Sequence, residues 1–231
     1  MSQLAGKTIL VVGANGAFGS AISEKLMNSG AAVIGTARTA DSSVRLSASL
    51  AARLLLDLEQ PSSIKVLADY LIAQPDQLDG IVLASGLVGF GQMAETPAPL
   101  GTRLMQVNAL GQIDLVQRLL PKLHESVMAE REPFILSISG VIAEAPMPGL
   151  SAYSASKTAL YGFAQAAAKE LRKSRIRWMD ARPGHTESGL AGRAIFGTAP
   201  NFGPGMSVDH VVERIVKGII DDERDLPSTA F

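Results

Sequence analysis

The chain has no cysteine, one tryptophan, three histidines and only 5% aromatic residues in 231 positions. Without thiols, disulfides, zinc–thiolate centres, iron–sulfur clusters and cysteine nucleophiles are all excluded. The histidines His124, His185 and His210 are scattered without ligand spacing, so no metal site is expected. Net charge is nearly lacking too. Twenty-one basic residues against 22 acidic ones leave −1, which gives little drive for counterion release from phosphates and argues against a nucleic-acid partner. No apolar run reaches the roughly 18 residues that a membrane span needs. The opening Ser2-Gln3-Leu4-Ala5 is not patterned as a signal peptide. A cytoplasmic protein without a membrane partner is expected.

What is present is a core-forming composition, 47% hydrophobic with 22 glycines and 12 prolines. The length suits one large α/β domain, and no repeat or low-complexity linker divides it. Short apolar runs that lack a polar face predict strands at Lys7–Gly13, Ala32–Ala37, Arg53–Leu58, Asp79–Ser85, Pro133–Ser139 and Ile176–Arg182. Between them, helices are expected over Ala17–Asn28, Pro61–Ala73, Arg103–Met128 with a kink at Pro121, Ser151–Lys173 and Ser207–Asp221. This alternation predicts an α/β fold, a single doubly wound parallel sheet of Rossmann type with helices on both faces. One dinucleotide-binding domain over 1–231 follows. The Gly- and Pro-rich stretch Ser188–Met206 is too long for a simple connection and reads as a binding lid or a flexible loop.

Two constellations carry chemistry. Gly13-Ala14-Asn15-Gly16-Ala17-Phe18-Gly19 lies between the first strand and the first helix. There a small backbone lets a pyrophosphate reach the helix N-terminus. The second strand ends at Ala37-Arg38, where a guanidinium rather than a ribose-binding carboxylate suits a 2′-phosphate; a solvated surface arginine is the plainer alternative. Tyr153 and Lys157 stand one turn apart at the start of an alanine-rich helix. An ammonium beside a phenol favours phenolate and makes the tyrosine usable as a general acid or base. Ser137-Ile138-Ser139 gives the preceding strand a polar carboxyl end, where open parallel sheets bind ligands.

In order and spacing, these pieces resemble the short-chain dehydrogenase/reductase (SDR) family over essentially the whole chain. Asp57-Leu58, Asp79–Gly86, Asn108 and Pro183-Gly184 add to the likeness. The resemblance implies an oxidoreductase that moves a hydride between a nicotinamide cofactor and a carbonyl or alcohol. It makes Tyr153 the acid/base, Lys157 its pKa-lowering partner and ribose ligand, Ser139 the group that orients the substrate oxygen, and Asn108 the holder of a relay water. Cofactor contacts are implied for Gly13, Asn15, Gly16, Phe18, Gly19, Arg38, Asp57, Leu58, Ala84, Gly86, Tyr153, Lys157 and Pro183, with Thr186 and Ser188 at the nicotinamide carboxamide. NADP(H) is favoured and NAD(H) possible.

The chain departs from the family pattern at several points. Val12 stands for the usual threonine, Ala17 for the second glycine, and Leu83-Ala84-Ser85-Gly86 for Asn-Asn-Ala-Gly. Counting back from Tyr153, the usual serine position falls on Gly140; either the loop Val141–Ser151 carries one extra residue and Ser139 takes the role, which is preferred because Ser139 still ends the strand, or the site has lost its serine hydroxyl. The tail Glu223–Phe231 offers a short last strand at best. Ala164, Ala166, Ala167 and Ala168 are expected to allow close helix packing in a homodimer or homotetramer, or else against the chain's own sheet. Leu190, Ile195, Phe196, Phe202 and Arg193 in the lid imply a largely apolar small-molecule carbonyl or alcohol substrate, with an acidic group near Arg193 or with Arg193 solvated. A non-catalytic dinucleotide sensor is the alternative from another class, and retention of Tyr153, Lys157 and Asn108 weighs against it.

Overall fold

A computed structural model describes residues 4–231, so Ser2 and Gln3 of the opening segment lie outside it. The elements run β1 (Thr8–Val12), α1 (Ala17–Asn28), β2 (Ala32–Ala37), α2 (Ala40–Ser43), β3 (Ala52–Leu55), α3 (Pro61–Ile72), β4 (Gly80–Leu83), α4 (Ala98–Met105), α5 (Gly111–Met128), β5 (Phe134–Ile138), α6 (Ser151–Leu171), β6 (Arg177–Ala181) and α7 (Val208–Ile220). The strands form one parallel sheet in the order β3-β2-β1-β4-β5-β6. The order reverses between β1 and β4, and the crevice outside the carboxyl ends of those strands is where such sheets bind ligands.

The apolar runs are continuous because both faces are covered. Ile9 and Val11 of β1 pack with Ile22 and Leu26 of α1 and with Val211, Ile215 and Ile219 of α7. Leu10 and Val12 face the other way, onto Ile64 of α3, Leu115 and Leu119 of α5, and Ala164 and Ala167 of α6. This is the period-two alternation of a strand buried on both sides. Ala164 and Ala167 thus pack on the chain's own sheet; of the four alanines Ala166 is exposed and Ala168 partly buried.

The strands are shorter than the apolar runs suggest, because the ladder stops where the chain turns into loops. β3 ends at Leu55, and Leu56 to Leu58 run on toward α3. The long helix starts earlier, at Ala98, and continues through Pro121. Its irregularity falls instead at Gln106–Leu110, a turn of π-helix around Asn108; such bulges recur at functional sites. The tail makes a single parallel bridge, Leu226 beside Ala181, and then one turn of 3₁₀ helix at Ser228–Ala230. Among the described residues no helix is long and apolar enough to cross a membrane.

Candidate active site

The turn after β1 is built for close backbone approach. Gly13 has φ +79°, and a Cβ there would lie 3.2 Å from Ser85 Cα. Its N–H donates to Thr36 Oγ1 at 3.1 Å, and the Ala14 N–H to the Thr36 carbonyl at 3.0 Å. Thr36 of β2 therefore ties down a turn in which Val12 has no hydroxyl to offer. Gly19 packs under the turn, where a Cβ would come within 2.7 Å of the Gly13 carbonyl carbon. Helix α1 opens on Gly16 without a side-chain cap or an acidic residue in its first turn. Its free amides and its dipole suit an anion such as a pyrophosphate.

A cleft of about 420 Å³ extends from this turn along the carboxyl ends of β1, β4, β5 and β6. Gly13, Asn15, Gly16, Phe18, Ala84, Gly86, Ser139, Tyr153, Lys157, Pro183, Thr186 and Ser188 line it. Gly19, Arg38, Asp57, Leu58 and Asn108 stand outside its walls. Arg38 is an exposed side chain 3.4 Å from Glu59, which also takes two bonds from Arg103. Asp57 Oδ1 accepts from the Glu59 N–H, and the Leu58 carbonyl accepts from Gln106 Nε2.

Tyr153 and Lys157 share the face of α6 that closes the cleft. Lys157 Nζ donates to the Ile138 carbonyl at 2.8 Å. Burial lowers the lysine to about 8, against an upward pull from Asp180. Burial alone pushes the Tyr153 phenol up to about 12, the reverse of the lowering by Lys157 that the resemblance implies. In both groups desolvation disfavours the charged form. Asn108 accepts from the Leu87 N–H at 2.8 Å and donates to the Leu87 carbonyl and to Ser156 Oγ, each at 2.9 Å. Its amide thus braces the segment after β4 against α6, with both ends bonded to protein. A Cβ on Gly86 would sit 3.4 Å from Asn108 Oδ1 and 3.5 Å from Lys157 Nζ, so a small residue here lets the two approach.

Comparison with known proteins places the chain in a family. The short chain dehydrogenase family model covers residues 7–195. The chain belongs to the short chain dehydrogenase family. A "Dehydrogenase/reductase SDR family protein 7-like" of Anopheles gambiae is 30% identical, covering 97% of this chain and 75% of its own length. A 3-ketoacyl-(acyl-carrier-protein) reductase from Brucella melitensis, solved with NADH, superposes with TM-score 0.85 at 20% identity over 98% of this chain and 99% of its own. A short-chain dehydrogenase from Sphingobium yanoikuyae, solved with NADPH, gives 0.82 at 24% identity over 96% and 87%. The protein is an NAD(P)-dependent oxidoreductase of this family.

This short-chain dehydrogenase differs from the expected site at the end of β5. Ser139 is fully buried, and its hydroxyl donates to Asp180 Oδ1 at 2.5 Å. With its one proton committed, Ser139 has none left to offer a substrate oxygen, the role that the resemblance implies for it. The next residue, Gly140, lines the cleft with φ +77°. The missing asparagines of the β4 end are answered by Gln112, whose Nε2 donates to the Ser85 carbonyl at 3.1 Å. Sequence reading missed Arg45, which lines the cleft beside the glycine turn. It follows α2 in an irregular segment, so no periodicity marks it.

The lid divides in two. Ile195 and Phe196 are pinned: the Ile195 N–H donates to the Val88 carbonyl at 2.9 Å and the Phe90 N–H to the Phe196 carbonyl at 2.8 Å. Leu190, Arg193 and Phe202 face the cleft, where Val88, Phe90, Ile142 and Leu150 form an apolar wall. His185 also lines it, 5.0 Å from the Phe202 ring. No group of three or more His, Asp or Glu residues able to hold a metal occurs among the described residues.

The close approach at Gly86 generates a prediction. Gly86→Ala adds only ordinary contacts and should be tolerated. Gly86→Val overpacks the site, costs roughly 1–3 kcal/mol, and should weaken dinucleotide binding about tenfold or more by displacing Lys157. Fluorescence titration with cofactor and urea denaturation of both variants check this.

Proposed function

We propose that this short-chain dehydrogenase interconverts a largely apolar ketone or aldehyde and its alcohol, with NADP(H) as cofactor. The observation that carries this reading is the presence, in one cleft, of the phosphate-binding turn and of the Tyr153–Lys157 face of α6. The bound nicotinamide exchanges a hydride with the carbonyl carbon. Tyr153 gives its phenolic proton to the carbonyl oxygen in reduction and takes one back in oxidation. A phenol pushed up to about 12 is protonated throughout the neutral range, which supports the reducing direction. Lys157 has protons beyond the one given to the Ile138 carbonyl; these serve the cofactor ribose and the phenol. Pro183, Thr186 and Ser188, which line the cleft, would meet the nicotinamide end.

The preference for NADP(H) is supported by two arginines at the adenosine end and by the lack of a carboxylate where β2 ends. Arg45 lines the cleft, and Arg38 is held only by an exposed ion pair, which is worth little. NAD(H) is the alternative, favoured by that same pairing of Arg38 with Glu59. The walls of Val88, Phe90, Ile142, Leu150 and Phe202 support an apolar substrate. Assembly as a homodimer or homotetramer goes with this reading; Leu110, 51% exposed on the helix rod, offers an apolar contact.

Tyr153→Phe should lower turnover of carbonyl substrates about 10²–10⁴-fold while leaving NADPH affinity within about twofold. Initial rates of NADPH oxidation and a cofactor titration test both halves; unimpaired turnover would reject the tyrosine. Replacing Arg38 and Arg45 together by alanine should weaken NADPH binding about tenfold or more and leave NADH binding unchanged. Equal losses for the two cofactors would remove the 2′-phosphate reading.

A further inference from the structure

Beneath the cleft lies a set of buried charges that the mechanism above does not use. Asp180 in β6 is 1% exposed, yet both of its carboxylate oxygens accept hydrogen bonds. Ser137 Oγ donates to Oδ2 at 2.5 Å, and Ser139 Oγ to Oδ1 at 2.5 Å. Trp178 Nε1 donates to Ser137 Oγ at 3.0 Å. An indole can only donate, so the serine's own proton must go to Asp180. Arg182 Nη1 adds a third donor to Oδ1 at 3.2 Å. Burial raises the Asp180 carboxyl, and the donors from Ser137, Ser139 and Arg182 pull against that rise by favouring its ionised form.

The sheet register puts this anion where it matters. Ser137 pairs with Asp180 and Ile138 with Ala181. Side chains alternate along a strand, so Ser137, Ser139 and Asp180 share the face of Ile135 and Trp178, which packs on α6. Lys157 descends from α6 onto that face, and its ammonium bonds the carbonyl of Ile138, the residue between the two serines. The family's usual serine position is Gly140, and the strand-end hydroxyls are bound to Asp180. On the elements packed here, Asp180 and Arg182 of β6 lie 3.2 Å apart, Arg182 also reaches Glu144 after β5 and Asp225 in the tail, and Tyr153 shares the Lys157 helix. Arg182 is itself held by Glu144 and, at 2.7 and 2.8 Å, by Asp225. That leaves Asp180 as the carboxylate whose field bears on Lys157.

We propose that Asp180 is a positioning residue for the reaction: a buried counterion, fixed by Ser137, Ser139 and Arg182, that keeps Lys157 an ammonium at the floor of the cleft. Ser139 acts through Asp180, not on the substrate oxygen. The proposal rests on the acid/base roles assigned above to Tyr153 and Lys157. Burial without an opposite charge drives a lysine toward its neutral amine, and a neutral Lys157 would no longer favour proton transfer through Tyr153. The ionised Asp180 carboxylate opposes that drift.

The test is Asp180→Asn, which removes the charge and leaves a side chain that still accepts from a serine. Lysines labelled with ¹³C at Cε report their protonation by NMR, and loss of one signal in Lys157→Arg assigns it. In the unmodified protein the Lys157 signal should titrate near pH 8; in Asp180→Asn its midpoint should fall by about one pH unit or more. The alkaline limb of kcat/KM should move with it. An unchanged midpoint overturns the proposal. If Asp180→Asn does not fold, Asp180→Ser, smaller and also neutral, gives the same reading. Ser139→Ala removes one of the three donors to Asp180, so turnover should fall only in step with the shift of the Lys157 midpoint; a loss of about 10²–10³ with an unmoved midpoint would return Ser139 to the substrate oxygen and overturn its assignment to Asp180. The NMR midpoint stands whether or not any carbonyl is turned over, so failure of the proposed activity and failure of this proposal are separate results.

Discussion

A lysine ammonium taken out of water is the constraint on which the rest of this site depends. Lys157 is 5% exposed, and an isolated buried cation is unstable unless it is bonded and paired. The chain answers with a carbonyl at the end of β5 and with a carboxylate one strand over. Each needs the sheet register to be kept, because a slip of one residue would turn Ser137, Ser139 and Asp180 onto the opposite face. The chemistry at the cleft and the pairing of β5 with β6 are thus one problem. The family position that usually carries a hydroxyl is a glycine here, and the neighbouring serine is turned inward to serve the anion.

Topology supplies the other half. Reversal of strand order between β1 and β4 opens a crevice at the carboxyl ends, and the first helix points its uncapped N-terminus into it. Packing on both faces leaves no room for a second functional region in the sheet itself. The apolar wall of the cleft comes from segments above the strand ends, Val88 and Phe90, Ile142 and Leu150, with Leu190 and Phe202 packed against them. Glycines carry the close contacts: Gly13 and Gly19 in the turn, and Gly86 beside both Asn108 and Lys157.

Much of the fold was legible in the sequence because both periodicities were strong. Apolar runs such as Lys7–Gly13 and Ile176–Arg182 marked the buried strands, and the element order then left few topologies. Boundaries were less legible. Leu56 and Leu58 look like strand but are buried by helices after the ladder has ended. The π-turn at Asn108 left no mark that the proline at Pro121 did not outweigh. At the site, Tyr153 and Lys157 were singled out by their spacing, by the polar end of the strand before them and by the family resemblance, and both line the cleft. The fate of Ser139 was not, because its partner Asp180 lies 41 residues away in sequence and only strand pairing brings them together. Arg45 was hidden for a similar reason, since an irregular segment gives no face on which to place it.

The most direct measurement of the central claim is isotope transfer at the cleft. The protein would be incubated with a small apolar ketone and NADPH deuterated at the transferable C4 position, and the product analysed by mass spectrometry. Hydride chemistry at this site predicts an alcohol carrying one deuterium on the carbinol carbon, formed by the native chain and not by Tyr153→Phe. Tight binding of NADPH with no labelled alcohol from any of a panel of ketones and aldehydes would contradict it, and would make the chain a dinucleotide sensor rather than a reductase.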